Sequence, residues 1–462
     1  MTVSSDVVVV GSGAGGAACA GELARAGLAV TVVEVGPQLS PEPAGHLRNQ
    51  LISATAPGVF GTAIAQLPRP HGGAAEFPAD LPHAAVVQAL GGGLALWTHH
   101  CPVPDSFEWP DSVPAQDRAA LIARAQAALR VRDDIRAGAR QDRIMAAVAA
   151  RVRGIDPSRP VQPLPVAADP REGALRYWGA DVLLRADGEN AGRVELVADH
   201  VVRRVVFEGA KVRGVIVAPR DGGEERRLRA GAVVVAAGAI GSPQLLHASA
   251  VQPAALGRHL MDHPMITSRV GLHPEFRPGG EPPEEIGVWV PAARDRRRHL
   301  QVVESPLTPD GVPSTAAVGE TADVVCFAGL DPDPENRLIF DPERLDPFGM
   351  PAFDAVFRLA ERDHDELAAA VGENYAVASA LGRTEDGWGV RLAPAGASFH
   401  LSGTVRLGVD PESSVADPRG AVWDREGLFV AGNGVLSGYT AGNPTLLTVA
   451  LALRTADAVL DA

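Results

Sequence analysis

The stretch Asp6-Val7-Val8-Val9-Val10-Gly11-Ser12-Gly13-Ala14-Gly15-Gly16, read on to Glu34, decides the fold. Its β-branched run predicts a buried strand, and Ala17 to Ala26 is an Ala-rich helical stretch. Gly27 ends that helix, and Ala29 to Val33 forms a second apolar strand ending at Glu34, which completes one βαβ unit. Gly11 permits the tight turn, Gly13 and Ala14 let backbone N–H groups approach a pyrophosphate, and Gly16 allows close packing of a helix whose positive N-terminus faces the phosphates. Glu34 lies about 20 residues on, where a carboxylate accepts hydrogen bonds from a ribose 2′-hydroxyl. A carboxylate there argues against a 2′-phosphate but leaves NAD and FAD open.

Working outward, 462 residues suggest two to three domains, and 46% apolar with 21% charged residues exclude a disordered, collagen-like or disulfide-scaffold chain. A net charge of -14 gives no basic footprint for nucleic acid or anionic lipid. Cys19, Cys101 and Cys326 are widely spaced without a CxxC, so no metal site is expected and a reducing compartment fits. No apolar run approaches the ~20 residues of a membrane span. The first six residues are too short and polar for a signal peptide, so the expected location is cytoplasmic. Residues 37–90 lack sustained periodicity. Pro114 to Val131 has helical spacing, Arg193 to Phe207 and Lys211 to Ala218 read as strands joined by a short turn, and Ala232 to Ala236 reads as a buried strand leading into Gly238. Residues 265–395 have a mixed texture with Pro-centred breaks, before a strand at Leu428 to Ala431 and a helix from Pro444 to about Leu460.

Four later segments carry a resemblance. Val235-Ala236-Ala237-Gly238-Ala239-Ile240-Gly241-Ser242-Pro243-Gln244-Leu245-Leu246 resembles the second signature of the glucose–methanol–choline (GMC) oxidoreductases. Gly257-Arg258-His259-Leu260-Met261-Asp262-His263-Pro264 resembles that family's exit from the FAD domain. Phe399-His400-Leu401-Ser402-Gly403-Thr404-Val405-Arg406-Leu407-Gly408 resembles its catalytic-histidine segment, and Gly442-Asn443-Pro444-Thr445-Leu446 its C-terminal flavin segment. Leu90-Gly91-Gly92-Gly93-Leu94-Ala95-Leu96-Trp97-Thr98 and Val430-Ala431-Gly432-Asn433-Gly434 are similar to the pyranose oxidase and bacterial glycoside oxidase branch. The resemblance implies an α/β fold with a Rossmann-like FAD-binding domain assembled from 1–105, 150–265 and 396–462. A sheet-based, α+β substrate domain would come from 106–149 and 266–395. Pyranose oxidases carry a flavin-linked histidine where this chain has Leu96, so non-covalent FAD is expected.

The same resemblance implies His400 as general base and Asn443 as its partner. It places Gly11, Gly13, Ala14, Gly16, Glu34 and Val202 at the ADP half. Gly91, Gly92, Trp97, Thr98, Ala237 and Gly238 would line the path to the flavin, and Gly432, Asn433, Asn443, Pro444 and Thr445 would hold its ring. On the residues' own chemistry, alcohol oxidation needs a base at the hydroxyl, and histidine titrates near working pH. His99 and His100 are candidate substrate-wall residues, whereas His46, His71 and His83 sit in loops without an assigned role. Asn443-Pro444 before an apolar run reads as an N-cap followed by Pro at N1, leaving the amide free to hold substrate oxygen. The leading function is oxidation of a CH–OH group of a sugar, glycoside or polyol, with oxygen or another acceptor taking the electrons. Alternatives are an FAD-dependent dehydrogenase of an aminosugar or other alcohol, an NAD-linked dehydrogenase and a non-catalytic flavin-binding protein.

Overall fold

The computed structural model describes residues 4–49, 64–66, 79–135, 138–171, 174–185, 188–278, 286–304, 319–384 and 389–462; His71 lies outside them. Two seven-stranded sheets organise the chain. The first has a parallel centre: Ser4–Val10 lies between Arg226–Val235 and Val30–Val33, with Val194–Val197 beyond. Val7, Val8 and Val9 are each no more than 2% exposed, because a central parallel strand is covered on both faces and has no solvent side to alternate toward. Arg226–Val235 divides its outer edge between two partners. Its first residues pair antiparallel with Lys211–Pro219, which pairs in turn with His200–Glu208, and its last three pair in parallel with Leu428–Val430. A strand 193 residues further along the chain therefore completes the sheet begun at Ser4.

The helices Ala14–Arg25 and Thr445–Asp461 pack together over this sheet, which their small residues (Ala17, Ala20, Ala24, Ala452, Ala456, all buried) allow. The second sheet is antiparallel, in the order Gly382–Thr384, Met265–Leu272, Thr321–Ala328, Arg298–Val303, Gly287–Val290, Gln162–Pro163, with Arg391–Leu392 as a seventh strand also paired to Met265–Leu272. The 21-residue helix Glu361–Leu381 covers one face, burying Ala370, Val377, Ala378 and Leu381 against Ile266, Val270 and Val324.

The helical segment 106–149 does not close the second sheet as one unit. Ala115–Leu129 turns Leu121, Ile122, Ala125 and Leu129 into the first core, against the final helix, while Ala139–Ala149 sends Ile144 and Val148 into the second. Each helix follows its own apolar stripe, and the polar stretch between them lets the stripes face different layers. Gln162–Pro163 likewise joins the edge of the second sheet, although it falls within the stretch assigned to the FAD domain by sequence.

Candidate functional site

At the dinucleotide end the turn after the first strand is held by backbone fit. Gly11 has φ +94°, and a Cβ there would lie 2.5 Å from the Ala236 carbonyl oxygen. A Cβ on Gly16 would lie 1.9 Å from the Gly11 carbonyl oxygen. Gly13 differs, because the nearest atom to its added Cβ is Gly92 Cα at 3.9 Å. The helix that Gly13 caps has no capping side chain and no acidic residue in its first turn, so its first N–H groups, Ala14 onward, remain available to an anion. Gly91 and Gly92, both with positive φ, carry a second loop past this helix end. Ser12 Oγ accepts from Gly91 N–H at 2.8 Å and donates to Glu34 Oε2 at 2.7 Å, so Glu34 knits the three segments together. Burial pushes the Glu34 carboxyl up, and its hydrogen bonds from Ser12 and Gly36 oppose that. The strand carrying Val202 begins beside Glu34, through His200 N–H donating to the Glu34 carbonyl at 3.0 Å.

These features fit FAD. The open face at Gly13, a Gly238 with φ +75° and nothing within 4 Å of an added Cβ, and the exposed Thr98 lie on segments that the fold gathers around two uncapped helix starts. The second start is the final helix, where Pro444 occupies the N-cap position and Thr445 begins a turn with neither capping side chain nor acid. A Cβ on Gly15 would lie 2.4 Å from Gly432 N, so the N-terminal and C-terminal halves of this cradle touch. Asn433 spends its side-chain oxygen on Thr448 Oγ1 at 2.6 Å, tying its turn to the final helix. Trp97 donates to the Trp178 carbonyl at 2.9 Å, and Ala237 precedes the helix that starts at Gly238. Leu96 packs with Ala89 and Ala95.

The reaction end is made of side chains. His400 sits on the loop 396–404, which is fastened to the 257–264 segment. Met261 and Ser402 exchange backbone hydrogen bonds at 3.0 and 2.9 Å, and Gly257 N–H donates to the Thr404 carbonyl at 2.9 Å. The buried Asp262 carboxylate accepts from Gly396 N–H at 2.8 Å and from the Ser398 hydroxyl, whose oxygen accepts from His400 N–H at 3.0 Å. His400 Nδ1 is 2.5 Å from His263 Nε2, and His263 Nδ1 donates to the Thr440 carbonyl at 3.1 Å. The rings stand at 86° with Phe327 against both. Burial, then the neighbouring His263 and His299, hold His400 well below the usual histidine range, so at neutral pH it is the neutral imidazole with a free lone pair.

Asn443 does not cap the final helix. Its amide lies 3.5 Å from His400 Nε2 and in hydrogen-bond contact with the Gln301 amide, because Pro444 takes the cap position and turns Asn443 toward the cleft. Buried Glu108 sets that turn, accepting from Ala441 N–H at 2.9 Å and Gly442 N–H at 3.2 Å. Gln301 and His299 project together because they stand two apart on one strand, with Trp289 directly across from Gln301. A narrow cleft lies here, lined by Pro102, Glu108, Trp289, His299, Gly442 and Asn443.

His99 and His100 separate. His99, held at φ +64°, stacks on Tyr177 with centroids 4.2 Å apart and bonds His46 at 2.9 Å, so its ring packs among these side chains. His100 lies instead near His299, close enough to depress that ring's basicity. His46, given no role by sequence, is buried and donates to the Trp97 carbonyl at 3.0 Å. Sequence reasoning missed His263, Asp262, Glu108, His299 and Gln301. The Asp262-His263 pair sits inside a quoted segment, but no local pattern marks the others.

Comparison with known proteins adds the following. The GMC oxidoreductase family models match residues 166–265 and 332–452, and an FAD binding domain model matches residues 6–44. The chain is 34% identical to a C-glycoside 3-oxidase of Microbacterium trichothecenolyticum across 99% of this chain and 96% of that one. It is 29% identical to a pyranose 2-oxidase of Tricholoma matsutake across 83% of this chain and 74% of that one. Among solved structures, pyridoxine 4-oxidase from Mesorbium loti superposes with a TM-score of 0.71 at 17% identity, covering 99% of each chain, which is a likeness of fold.

Proposed function

The chain belongs to the GMC oxidoreductase family and is an FAD-dependent oxidoreductase, and on that premise we propose that it oxidises a CH–OH group of a sugar or glycoside to the carbonyl, with His400 as the general base. The observation that carries the reading is a neutral His400 whose Nε2 lies 3.5 Å from the amide of Asn443, a residue that lines the cleft, while its Nδ1 is held by His263. When bound, FAD supplies the hydride acceptor. The uncapped turns at Ala14 and Thr445 would meet its pyrophosphate and the ring edge that becomes negative on reduction. His400 takes the hydroxyl proton at Nε2, and the side chains around it fix its ring so that proton and hydride leave in one geometry. The sugar-oxidising relatives support carbohydrate as the donor.

FAD is held without a covalent bond in this reading, because Leu96 offers no nucleophile. Acid precipitation then releases all the flavin into the supernatant, and colour left in the pellet refutes it. Oxygen or another carrier takes the electrons. Among the described residues no helix is long and apolar enough to cross a membrane. The proposed location is the cytoplasm, with three buried free cysteines as support. The deciding test is a panel of sugars and glycosides mixed anaerobically with the purified protein. Bleaching of the flavin by a sugar, and not by NADH, supports the assignment, and a flavin reduced only by non-carbohydrate alcohols overturns the substrate class.

A further inference from the structure

The polar chain at the reaction end has a fixed donor at one terminus and a fixed acceptor at the other. Trp289 Nε1 carries a hydrogen and cannot accept, and the Thr440 carbonyl accepts and cannot donate. Every group between them takes its direction from these ends. From Thr440, His263 Nδ1–H donates at 3.1 Å, so the Nε2 of a neutral His263 accepts, and His400 Nδ1–H donates to it at 2.5 Å. That leaves the lone pair of His400 on Nε2.

From Trp289, Nε1–H donates to His299 Nδ1 at 2.8 Å, so the neutral His299 ring carries its proton on Nε2. The structure sets the Gln301 carboxamide nitrogen 2.6 Å from that Nε2, which would bring two donors face to face, so the carboxamide must be turned to present its oxygen. The same Gln301 atom meets the Asn443 carboxamide, which must therefore present its NH₂ there and turn its oxygen to His400. The oxygen and nitrogen of a carboxamide exchange places by a half-turn, so only neighbours set the direction. The opposite setting would make both nitrogens of His299 acceptors, which requires an imidazolate.

We propose that Trp289, His299 and Gln301 are positioning residues that aim the Asn443 amide oxygen at His400 Nε2, forming a socket of two facing acceptors that receives the proton of the substrate hydroxyl. This rests on His400 being the base. The substrate O–H bond breaks and an N–H bond forms at His400 Nε2. The released electron pair becomes the second carbon–oxygen bond as hydride leaves the same carbon for the flavin. Before transfer, two lone pairs face each other across 3.5 Å. Afterwards both N–H groups of the His400 imidazolium have acceptors, His263 Nε2 and Asn443 Oδ1. The network is thus complete only with the proton on board, and it favours the transition state over the resting state.

It also offsets the burial that opposes charge on His400. The other titratable and charged groups nearby are His263, backed by Asp262, and His299, with His100, Arg296 and Arg159 around it.

Two Gln301 variants separate the directions. Glutamate can only accept at this place, whereas leucine does neither. With the sugar that bleaches wild type fastest in the panel above, Gln301→Leu reduces its flavin roughly 10–100-fold more slowly, short of the roughly 10²–10⁴ lost with the base itself because Gln301 only positions its partner. Gln301→Glu stays within about tenfold of wild type, and its added charge moves the acidic limb of the rate–pH profile upward. In ¹⁵N-histidine-labelled holoenzyme, His299 reads as the Nε2-protonated tautomer and His400 as the Nδ1-protonated one, and Trp289→Phe, which removes the fixed donor, leaves His299 a mixture of tautomers. Gln301→Glu falling as far as Gln301→Leu, or an Nδ1-protonated His299, overturns the proposal. His400→Ala keeps the two claims apart. If it reduces at the wild-type rate the base reading fails, and if it is slow while Gln301→Leu matches wild type only the socket fails.

Discussion

At the dinucleotide end this protein works with its backbone: glycines at 11, 13, 16 and 92 bring two chain segments and a helix start within contact of one another, and two side chains, Ser12 and Glu34, tie them together. At the reaction end it works mainly with side chains, and seven groups from distant parts of the chain, Trp289, His299, Gln301, Asn443, His400, His263 and the Thr440 carbonyl, form one polar line. A backbone site tolerates almost no added atom but is indifferent to proton positions. A side-chain line tolerates a change of volume but not a reversed donor. The two ends should therefore fail differently.

The largest effect is expected at the backbone end. Gly16→Ala puts a Cβ 1.9 Å from a carbonyl oxygen that has nowhere to go, so the variant should purify colourless or not fold at all. Gly13→Ala meets nothing closer than 3.9 Å and should fold normally while binding FAD more weakly, read from flavin absorbance per protein and from melting temperature. Equal melting temperatures and equal flavin content for the two would break the contrast. Next comes His400→Ala, which should keep its FAD and melting temperature and lose roughly 10²–10⁴ in anaerobic flavin reduction. Deuterium on the reacting carbon should slow the wild-type enzyme. A wild-type rate in His400→Ala would falsify the assignment.

That contrast also explains what could be read from sequence. The strand, turn and helix from Asp6 to Glu34 are legible because the residues that define the unit follow one another along the chain and leave a spacing of glycines, although distant segments complete its packing. His400 and Asn443 were found through the segments that carry them. Gln301 and His299 were not, since they occupy alternate positions of a strand whose partners lie 142 and 10 residues away, and nothing in Arg298–Val303 distinguishes a polar face toward a site from one toward water. The capping reading of Asn443 went astray for a related reason. Asn before Pro and an apolar run satisfies a local rule, but Pro444 itself stands at the cap, and the amide answers to Gln301 and His400. Segment 106–149 shows the same limit at larger scale, because amphipathic spacing gives two helices without saying which layer each faces.

Acid should sharpen the comparison with a smaller effect. His263, His299 and His400 are held below the ordinary histidine value mainly by burial, as are His46, pushed down to about 3, and His259, to about 4. Below a pH of about 6.5 the unfolded chain binds protons that the native state refuses, so their stability contribution is whole above that pH and is lost as pH falls toward the native values. Glu34 has the opposite sign. Burial raises its carboxyl, and protonation at low pH relieves that cost. Net stability should therefore fall between pH 7 and 5, carried by the histidines. A melting temperature that is flat across that range would mean these rings are charged in the native state.

The smallest expected effect is a null one. Asn443→Ala removes the amide between Gln301 and His400 and should slow flavin reduction, yet the start of the final helix should not notice. Were Asn443 the N-cap, its loss would cost ~1 kcal/mol and raise hydrogen exchange in the first helical turn about fivefold. Instead the turn is entered through Pro444, whose carbonyl accepts from Thr448 N–H at 2.8 Å, and its approach is fixed by Glu108 holding Ala441 and Gly442. None of those bonds involves the Asn443 side chain. Exchange at Leu446 to Thr448 in holo Asn443→Ala should match wild type, while Glu108→Ala, which frees the Ala441 and Gly442 N–H groups, should raise it. If Asn443→Ala loosened the turn as much as Glu108→Ala, the amide would belong to the backbone after all, and the separation of the two ends would fail at the residue where they meet.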